Sequence, residues 1–430
     1  MKEIPHNRFF KKRSLEENGT LLFLSGIFFL PSTLFIGILF LLPASIIGSF
    51  LQKKPYLKDP WNFSFLIFGV LILISALLQN FLLINKYESI WDPQLSIVGM
   101  GNWLPFIWIF WALQPYLNSS SKRRSFSLCL IAGSFPVLIT GLGQFFLNWT
   151  GPFETLNGLI IWYQRPIEIP GGLSGLFNNQ NYAGSWFNFV WPFCLALLLE
   201  KSKNILKKII AFGFFFSVGL SGFLTFSRNA WLGLLVALPA VLGKKSFRIL
   251  IPILLISLLI FSPYLTGEIQ NNIRGILPEK ILLEFTEEGY KGLDTSRIEI
   301  FSNAINLISL NPIFGIGAGS FTPIFLSETN FWKGHSHNLF LELSISYGLP
   351  STLIFFFTIF IILILSGSKI YRANKDYSFS FFDRAFWGAL LYFMISQLFD
   401  IQYFDGRISM IAWILIASLK NIIEEHHKKV

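Results

Sequence analysis

Long apolar runs alternate with short polar segments along almost the whole chain. A helix that crosses a bilayer needs about 20 mostly apolar residues. Thr20–Phe50 exceeds one span and contains Pro31 and Pro43, which predicts two short helices turning near Pro31. Further predicted spans are Trp61–Ile84, Gly99–Leu117, Phe126–Leu147, Tyr182–Leu199, Ile209–Phe226, Asn229–Leu242, Ile249–Leu265, Leu339–Ser366, Ala385–Phe399 and Ile408–Leu419. The pattern predicts an all-α membrane protein of about 12 transmembrane helices. A large polar loop separates the ninth and tenth. Composition agrees: only 13% of residues are charged, about half the share usual in soluble domains, and mean hydropathy is +0.57.

The Lys and Arg residues give the orientation. If the amino-terminal segment is inside, alternate loops hold 25 of the 34, in 1–19, 51–60, 118–125, 200–208, 243–248, 367–384 and 420–430. The basic stretch before Leu21 is followed by many apolar runs and no small-residue cleavage site, and reads as an uncleaved cytoplasmic tail. The expected organisation is a cytoplasmic tail over 1–19, nine spans over 20–265, an outer loop over 266–337, three spans over 338–419 and a second cytoplasmic tail over 420–430. The net charge of +10 is then a topology signal. Basic residues in short separate loops argue against nucleic acid as a partner; membrane lipid is the expected surrounding. Cys129 and Cys194 lie in apolar runs and make no disulfide framework.

Two outer loops can carry chemistry. Residues 148–181 are rich in Gly, Asn and Trp. Residues 266–337 are long enough for a small subdomain. There Ser296 and Glu299 have capping-box spacing ahead of Ile300, Phe301, Ile305 and Ile308. Asn311-Pro312 ends that helix, and Gly315, Gly317 and Gly319 make a turn.

Besides His6, His426 and His427 in the tails, the only histidines are His335 and His337, which close the long loop. A neutral imidazole at His337 can take a proton from a hydroxyl; His335 can shift its pKa or bind substrate. An interfacial histidine that caps the next helix is the structural alternative. His-x-His shows no neighbouring cysteine or carboxylate, so no metal is expected. Arg228, between two apolar runs, either snorkels or binds a phosphate. Arg297 has the same choice between an ordinary surface pair and a ligand contact, and Arg165 is a weaker version of it. Asn178-Asn179-Gln180-Asn181 opens a span with four amides, which either cap it or bind a hydroxyl-rich ligand, as Asn338 does beside His337. Trp91, Trp103, Trp149, Trp162 and Trp332 read as an interfacial belt. Glu154, Glu168, Glu284, Glu287 and Glu288 show no glycosidase-like pairing. No P-loop or dinucleotide fingerprint is present, and no cofactor is expected.

Three segments together resemble the O-antigen ligase and polymerase family of bacterial membrane glycosyltransferases. Thr225-Phe226-Ser227-Arg228-Asn229-Ala230-Trp231 is similar to its serine-arginine segment. Ser296-Arg297 with Asn311-Pro312-Ile313-Phe314-Gly315-Ile316-Gly317 is similar to its periplasmic-loop signature. His335-Ser336-His337-Asn338-Leu339-Phe340-Leu341-Glu342 resembles its histidine box. The ligases follow His-Asn by nine residues, Gly, two residues and Thr. Here Gly348 fits and Ser351 replaces the Thr.

The resemblance implies transfer of a glycan from an undecaprenyl diphosphate donor to a hydroxyl of a lipid or glycan acceptor, such as a lipid A core, at the periplasmic face of the inner membrane. It implies neither nucleotide nor metal, and inversion at the sugar. Arg228 and Arg297 match the arginines that hold the diphosphate, and His337 matches the proposed general base. Polymerases often carry Arg, ten residues, then Gly. Leu176 follows Arg165 and Ile308 follows Arg297 at that spacing, which favours ligation. A polymerase of the same family is the nearer alternative, an anion (bicarbonate) transporter or a non-catalytic scaffold the more distant ones. Scarce intramembrane charge argues against transport.

Overall fold

The computed structural model describes residues 14–81, 87, 89–167, 171–261, 275, 295–372 and 379–425. Most of the predicted loop over 266–294, with Glu284, Glu287 and Glu288, lies outside the described residues, as do Glu168, His6, His426 and His427.

The described chain is overwhelmingly helical. α1 (Leu15–Phe29) and α2 (Leu34–Phe50) form the hairpin predicted around Pro31. They are followed by α3 (Pro60–Phe81), α4 (Gln94–Gly99), α5 (Leu104–Ala112), α6 (Ser120–Gly133) and α7 (Phe135–Leu147). Then come α8 (Gln180–Leu199), α9 (Ile205–Leu224), α10 (Arg228–Leu242) and α11 (Phe247–Phe261). The long loop contributes α12 (Arg297–Leu310) and α13 (Phe321–Thr329). The chain closes with α14 (Leu339–Arg372), α15 (Phe381–Ser396) and α16 (Gly406–Glu424). One departure from an all-α chain is a hairpin in the 148–181 loop, where β1 (Phe153–Thr155) pairs antiparallel with β2 (Ile160–Trp162).

Among the described residues, seven helical segments are long and apolar enough to cross a membrane: 60–81, 94–112, 120–147, 180–199, 205–224, 339–372 and 406–424. Each matches a predicted span. The other five predicted spans fall on α1, α2, α10, α11 and α15, which have 15 to 17 residues. At 1.5 Å per residue they are about 22–26 Å long, short of a hydrocarbon core of about 30 Å.

Burial sorts these helices. α16 and α8 are 83% and 78% buried over their apolar windows, whereas α9 is 22% buried. α8 and α16 therefore form the centre, and α9 presents its apolar face outward. Trp91 and Trp103, expected in an interfacial belt, are instead buried. Trp91 donates to the Ala318 carbonyl at 3.0 Å, and Trp103 stacks on Tyr403 with ring centroids 4.4 Å apart.

Polar groups gather at the two ends of α16. At its far end Arg123, fully buried, meets Asp383 at 2.6 Å and Glu425 at 2.7 Å. Lys420 meets Asp59 at 2.6 Å and Gln114 at 2.9 Å. Pairing makes the burial of these charges tolerable, and removal of one partner would strand the other. From sequence these charges read as loop residues, yet they tie α3, α6, α15 and α16 together. The candidate site lies at the opposite end, before Gly406.

α14 is broken inside, at Gly348 (φ +84°, ψ 165°), a conformation reserved for glycine. A Cβ there would overlap the Ile313 carbonyl. The 311–319 loop docks on this break: Leu349 N–H donates to the Pro312 carbonyl at 2.8 Å, and Ile316 N–H to that of Ile345 at 2.7 Å. From α3, Ser75 and Gln79 donate to the carbonyls of Phe314, Tyr347 and Ser346. Backbone groups freed by a broken apolar helix need such partners. The glycine turn and the glycine downstream of His337 thus touch each other, which sets α12 beside the start of α14.

Candidate functional site

His335, Ser336 and His337 lie in the short connection between α13 and α14. Asn338 caps α14, its Oδ1 accepting from Leu341 N–H at 3.1 Å. Glu342, in the first turn, accepts the Ser336 N–H at 2.8 Å. Leu339 N–H donates to the Gln397 carbonyl at 2.8 Å, and Asn338 Nδ2 to that of Leu398 at 3.1 Å. These bonds fasten the histidine loop to the end of α15. His337 itself has φ +56°, in the left-handed region. A non-glycine residue there costs roughly 1–2 kcal/mol, so the four bonds around it fix a conformation the peptide alone disfavours.

The loop from 397 to 405 brings a residue that sequence reasoning missed. Asp400 Oδ1 lies 2.8 Å from His337 Nδ1 and 3.8 Å from His335 Nε2. Its other oxygen accepts from Asn181 Nδ2 at 3.0 Å and Gln402 Nε2 at 2.9 Å. Gln402 is oriented in turn by Gln397, whose Nε2 donates to Gln402 Oε1 at 3.0 Å. The carboxylate is thus held on both oxygens. Burial raises the Asp400 pKa, but the His337 hydrogen bond and the nearby cationic groups, including Arg297, outweigh it and hold the carboxyl below its ordinary value. Its position in the connection before the last span is the one thing the sequence offers about Asp400, and that alone does not pair it with His337.

The hydrogen bonds fix both imidazole tautomers. An ionised Asp400 can only accept, so the proton of neutral His337 sits on Nδ1 and its Nε2 keeps a lone pair. His335 Nδ1 accepts the His337 backbone N–H at 3.1 Å, so the proton of neutral His335 sits on Nε2. Burial, with repulsion from His337 and Arg297, lowers the His335 pKa to about 4 despite Asp400. His335 is therefore uncharged near neutral pH, and its 3.8 Å approach to Asp400 is no ion pair there. The two rings meet edge to face, centroids 4.4 Å apart.

His335, His337 and Asp400 offer ligand atoms within 4.8 Å of one another, the one such metal-type cluster among the described residues. Asp400 supplies the carboxylate that the sequence neighbourhood of His-x-His lacks. In these tautomers His337 Nδ1 and His335 Nε2, the atoms facing Asp400, carry the ring protons, which a cation would have to displace. With those protons in place hydrogen bonds link His335, His337 and Asp400 in series.

Arg297 opens α12 behind its Ser296 cap, whose hydroxyl accepts Glu299 N–H at 3.1 Å. Arg228 opens α10. Both side chains are exposed. Desolvation lowers the Arg297 pKa, Asp400 opposes that, and Arg228 adds to it by like-charge repulsion. Arg297, within electrostatic reach of Asp400 and of a second guanidinium, offers an anion a cationic contact at the edge of the site.

The remaining predicted residues separate. Asn181 and Asn338, expected to bind substrate, spend their amides on Asp400, Leu341 and Leu398. Asn179 caps α8 through Asn181 N–H at 2.8 Å, and Gln180 accepts from Gly172 N–H. The amide run thus serves the fold, and through Asn181 the site. Arg165 is exposed beside the β-hairpin, and its carbonyl accepts from Gln144 at 2.7 Å. Among the described residues its side chain contacts neither histidine nor Asp400.

A comparison with curated proteins finds no match. Residues 211–356 match the family model described as O-antigen ligase. The match contains Arg228, Arg297, His335 and His337 and ends before Asp400. Members of this family are glycosyltransferase-like enzymes, ligases or polymerases, acting on lipid-linked glycans. Over residues 211–356, about a third of its length, the chain is similar to the O-antigen ligase family.

Proposed function

We propose that the protein is a metal-independent, inverting glycosyltransferase. It moves a polysaccharide from undecaprenyl diphosphate to a hydroxyl of a lipid A core or another surface acceptor, at the periplasmic face of the inner membrane. The observation that carries this reading is the His337–Asp400 pair at 2.8 Å, which leaves Nε2 of His337 with its lone pair, and Arg297 within electrostatic reach of Asp400 supports it.

Chemically, the acceptor oxygen attacks the anomeric carbon as its proton passes to His337 Nε2. The bond from that carbon to the diphosphate oxygen breaks, and the lipid diphosphate leaves with the electron pair. Asp400 stabilises the imidazolium formed. Arg228 and Arg297 meet the charge growing on the leaving diphosphate, where fixed cations stabilise the transition state. Asn181, Gln402 and Asn338 position the pair. Backside attack in one displacement inverts the sugar centre. Ligation is favoured over polymerisation by the Arg165 and Arg297 loop spacing.

The test is a surface-polysaccharide gel from a deletion strain carrying the wild type or His337→Ala. The variant should lower transfer at least about 100-fold, within the range for loss of a general base. Lipid-linked glycan beside unmodified core supports ligation. Core bearing a single repeat unit assigns the protein to polymerisation instead. Wild-type glycan display with His337→Ala removes the mechanism.

A further inference from the structure

A second polar surface lies just outside this site. Between α12 and α13 is an open cavity of about 520 Å³, lined by Ser296, Glu299, Ser302, Asn303, Asn306 and Glu328 among others. That volume is within the 300–1,000 Å³ of ordinary ligand sites. Ser296 is the immediate neighbour of Arg297, so the cavity adjoins the guanidinium surface.

The cavity has a built framework. On α12, Glu299, Ser302, Asn303 and Asn306 share one face, while Ile300, Ala304 and Leu307 are buried behind it with Phe321, Ile324 and Phe325 of α13. Asn303 Nδ2 donates to Glu328 Oε2 at 2.7 Å, and the Tyr87 hydroxyl donates to Glu328 Oε1 at 3.3 Å. Both oxygens of Glu328 are thereby oriented, each with acceptor capacity left. Asn303 Oδ1 is buried and accepts no hydrogen bond among the described residues.

Carboxylates, amides and hydroxyls at fixed spacing suit a ligand that offers many hydroxyl donors. No Lys or Arg is among the lining residues, while two carboxylates are. A ligand bearing carboxylates would be repelled; a neutral or amino-bearing one would not. We propose that this groove is a binding site for a neutral or amino-bearing oligosaccharide segment, part of either the donor or the acceptor glycan. The proposal rests on the glycosyl-transfer reading, and it adds a specificity: uronic-acid-rich glycans are poor substrates.

The test uses full-length protein in nanodiscs, with lipid-linked glycan extracted from the deletion strain as donor and purified core lipid as acceptor. Asn303→Ala, Asn306→Ala and Glu328→Gln should each raise one KM at least tenfold, with a smaller change in kcat. A rise in the donor KM makes the groove a donor subsite, and a rise in the acceptor KM an acceptor subsite. Synthetic polyprenyl diphosphate trisaccharides, neutral or containing glucuronate, should differ at least tenfold in kcat/KM, and Glu328→Gln should narrow that gap. Unchanged KM for both substrates in all three variants overturns the proposal, and so does equal use of the two trisaccharides where the variants have raised the donor KM. His337→Ala separates the two readings. If it abolishes transfer while the groove variants behave as wild type, only the groove is lost; if it transfers normally, the glycosyl-transfer reading falls.

Discussion

Asp400→Asn is a nearly isosteric change with a lopsided expected effect. The carboxylate oxygen Oδ2 accepts from two N–H donors, Asn181 Nδ2 and Gln402 Nε2, and Gln402 is itself locked by Gln397. An asparagine at 400 must turn its carbonyl toward those two donors, because its NH2 there would face two others. Its NH2 then occupies the Oδ1 position, 2.8 Å from His337 Nδ1. That contact requires Nδ1 to accept, so the His337 proton moves to Nε2 and the lone pair meant for the acceptor hydroxyl disappears. The charge effect alone, a lost hydrogen bond to an ionic partner, is about 1.5–3 kcal/mol, or about 10- to 150-fold in rate. The wrong tautomer adds to it; in a serine protease triad the same substitution costs about 10⁴-fold. Asp400→Asn should therefore lower kcat by about 10³-fold or more. Asp400→Ala, which forces no tautomer, should keep more activity than Asp400→Asn although it is the larger deletion. The assay is transfer of radiolabelled lipid-linked glycan to core lipid by purified protein, with thermal melting to verify folding. Asp400→Asn retaining a tenth of wild-type kcat, or clearly outperforming Asp400→Ala, would refute the tautomer argument.

Arg297→Lys should reduce kcat/KM for the lipid-linked donor at least about tenfold, since an ammonium cannot make a bidentate phosphate contact; donor titration measures it. Gly348→Ala should destabilise the folded protein by at least about 2 kcal/mol, because alanine must adopt φ +84° against the Ile313 carbonyl; a fall in melting temperature in detergent checks it. His335 gives a pH dependence. Its folded pKa, about 4, lies below the ordinary 6.5, so the unfolded chain binds the proton first and stability falls between about pH 6.5 and 4. Asp400 is depressed from 3.8, so its contribution is lost only below that, and the two windows separate. His335→Gln should lose less melting temperature than wild type between pH 7 and 4.5.

The sequence made the apolar helices legible because each run exceeds what a soluble core uses, and each of the seven long spans lies on a predicted one. Local rules also read well: the Ser296 cap, the helix end at Asn311 and the glycine turn follow from the backbone chemistry of a few residues. Two other features depended on distance along the chain. Asp400 lies 63 residues from His337, and nothing local in Phe399-Asp400-Ile401-Gln402 marks a partner. Arg123 and Lys420 look like topology-setting loop cations, yet both are buried in ion pairs. A positive-inside count records where such charges sit and not what they touch. The amide run before α8 carried two readings, helix capping and sugar binding, and the structure shows Asn179 capping α8 and Asn181 holding Asp400.

The arrangement of strain explains why the site stands at this end of the bundle. His337 has a disfavoured backbone and Gly348, eleven residues on, breaks its helix, so neither conformation is sustained by α14 alone. Each is imposed from elsewhere: the histidine loop by Gln397 and Leu398 at the end of α15, the break by the 311–319 loop and α3. These supports converge on the end of the bundle where Asp400 has Arg297 within electrostatic reach. The opposite end is cross-linked by the ion pairs of Arg123 and Lys420, which hold α15 and α16 in register. That register fixes the 397–405 connection between them, and hence Asp400. Loosening Arg123 or Asp383 would therefore reach the His337–Asp400 pair through α15 and α16, without any contact between the two charge layers.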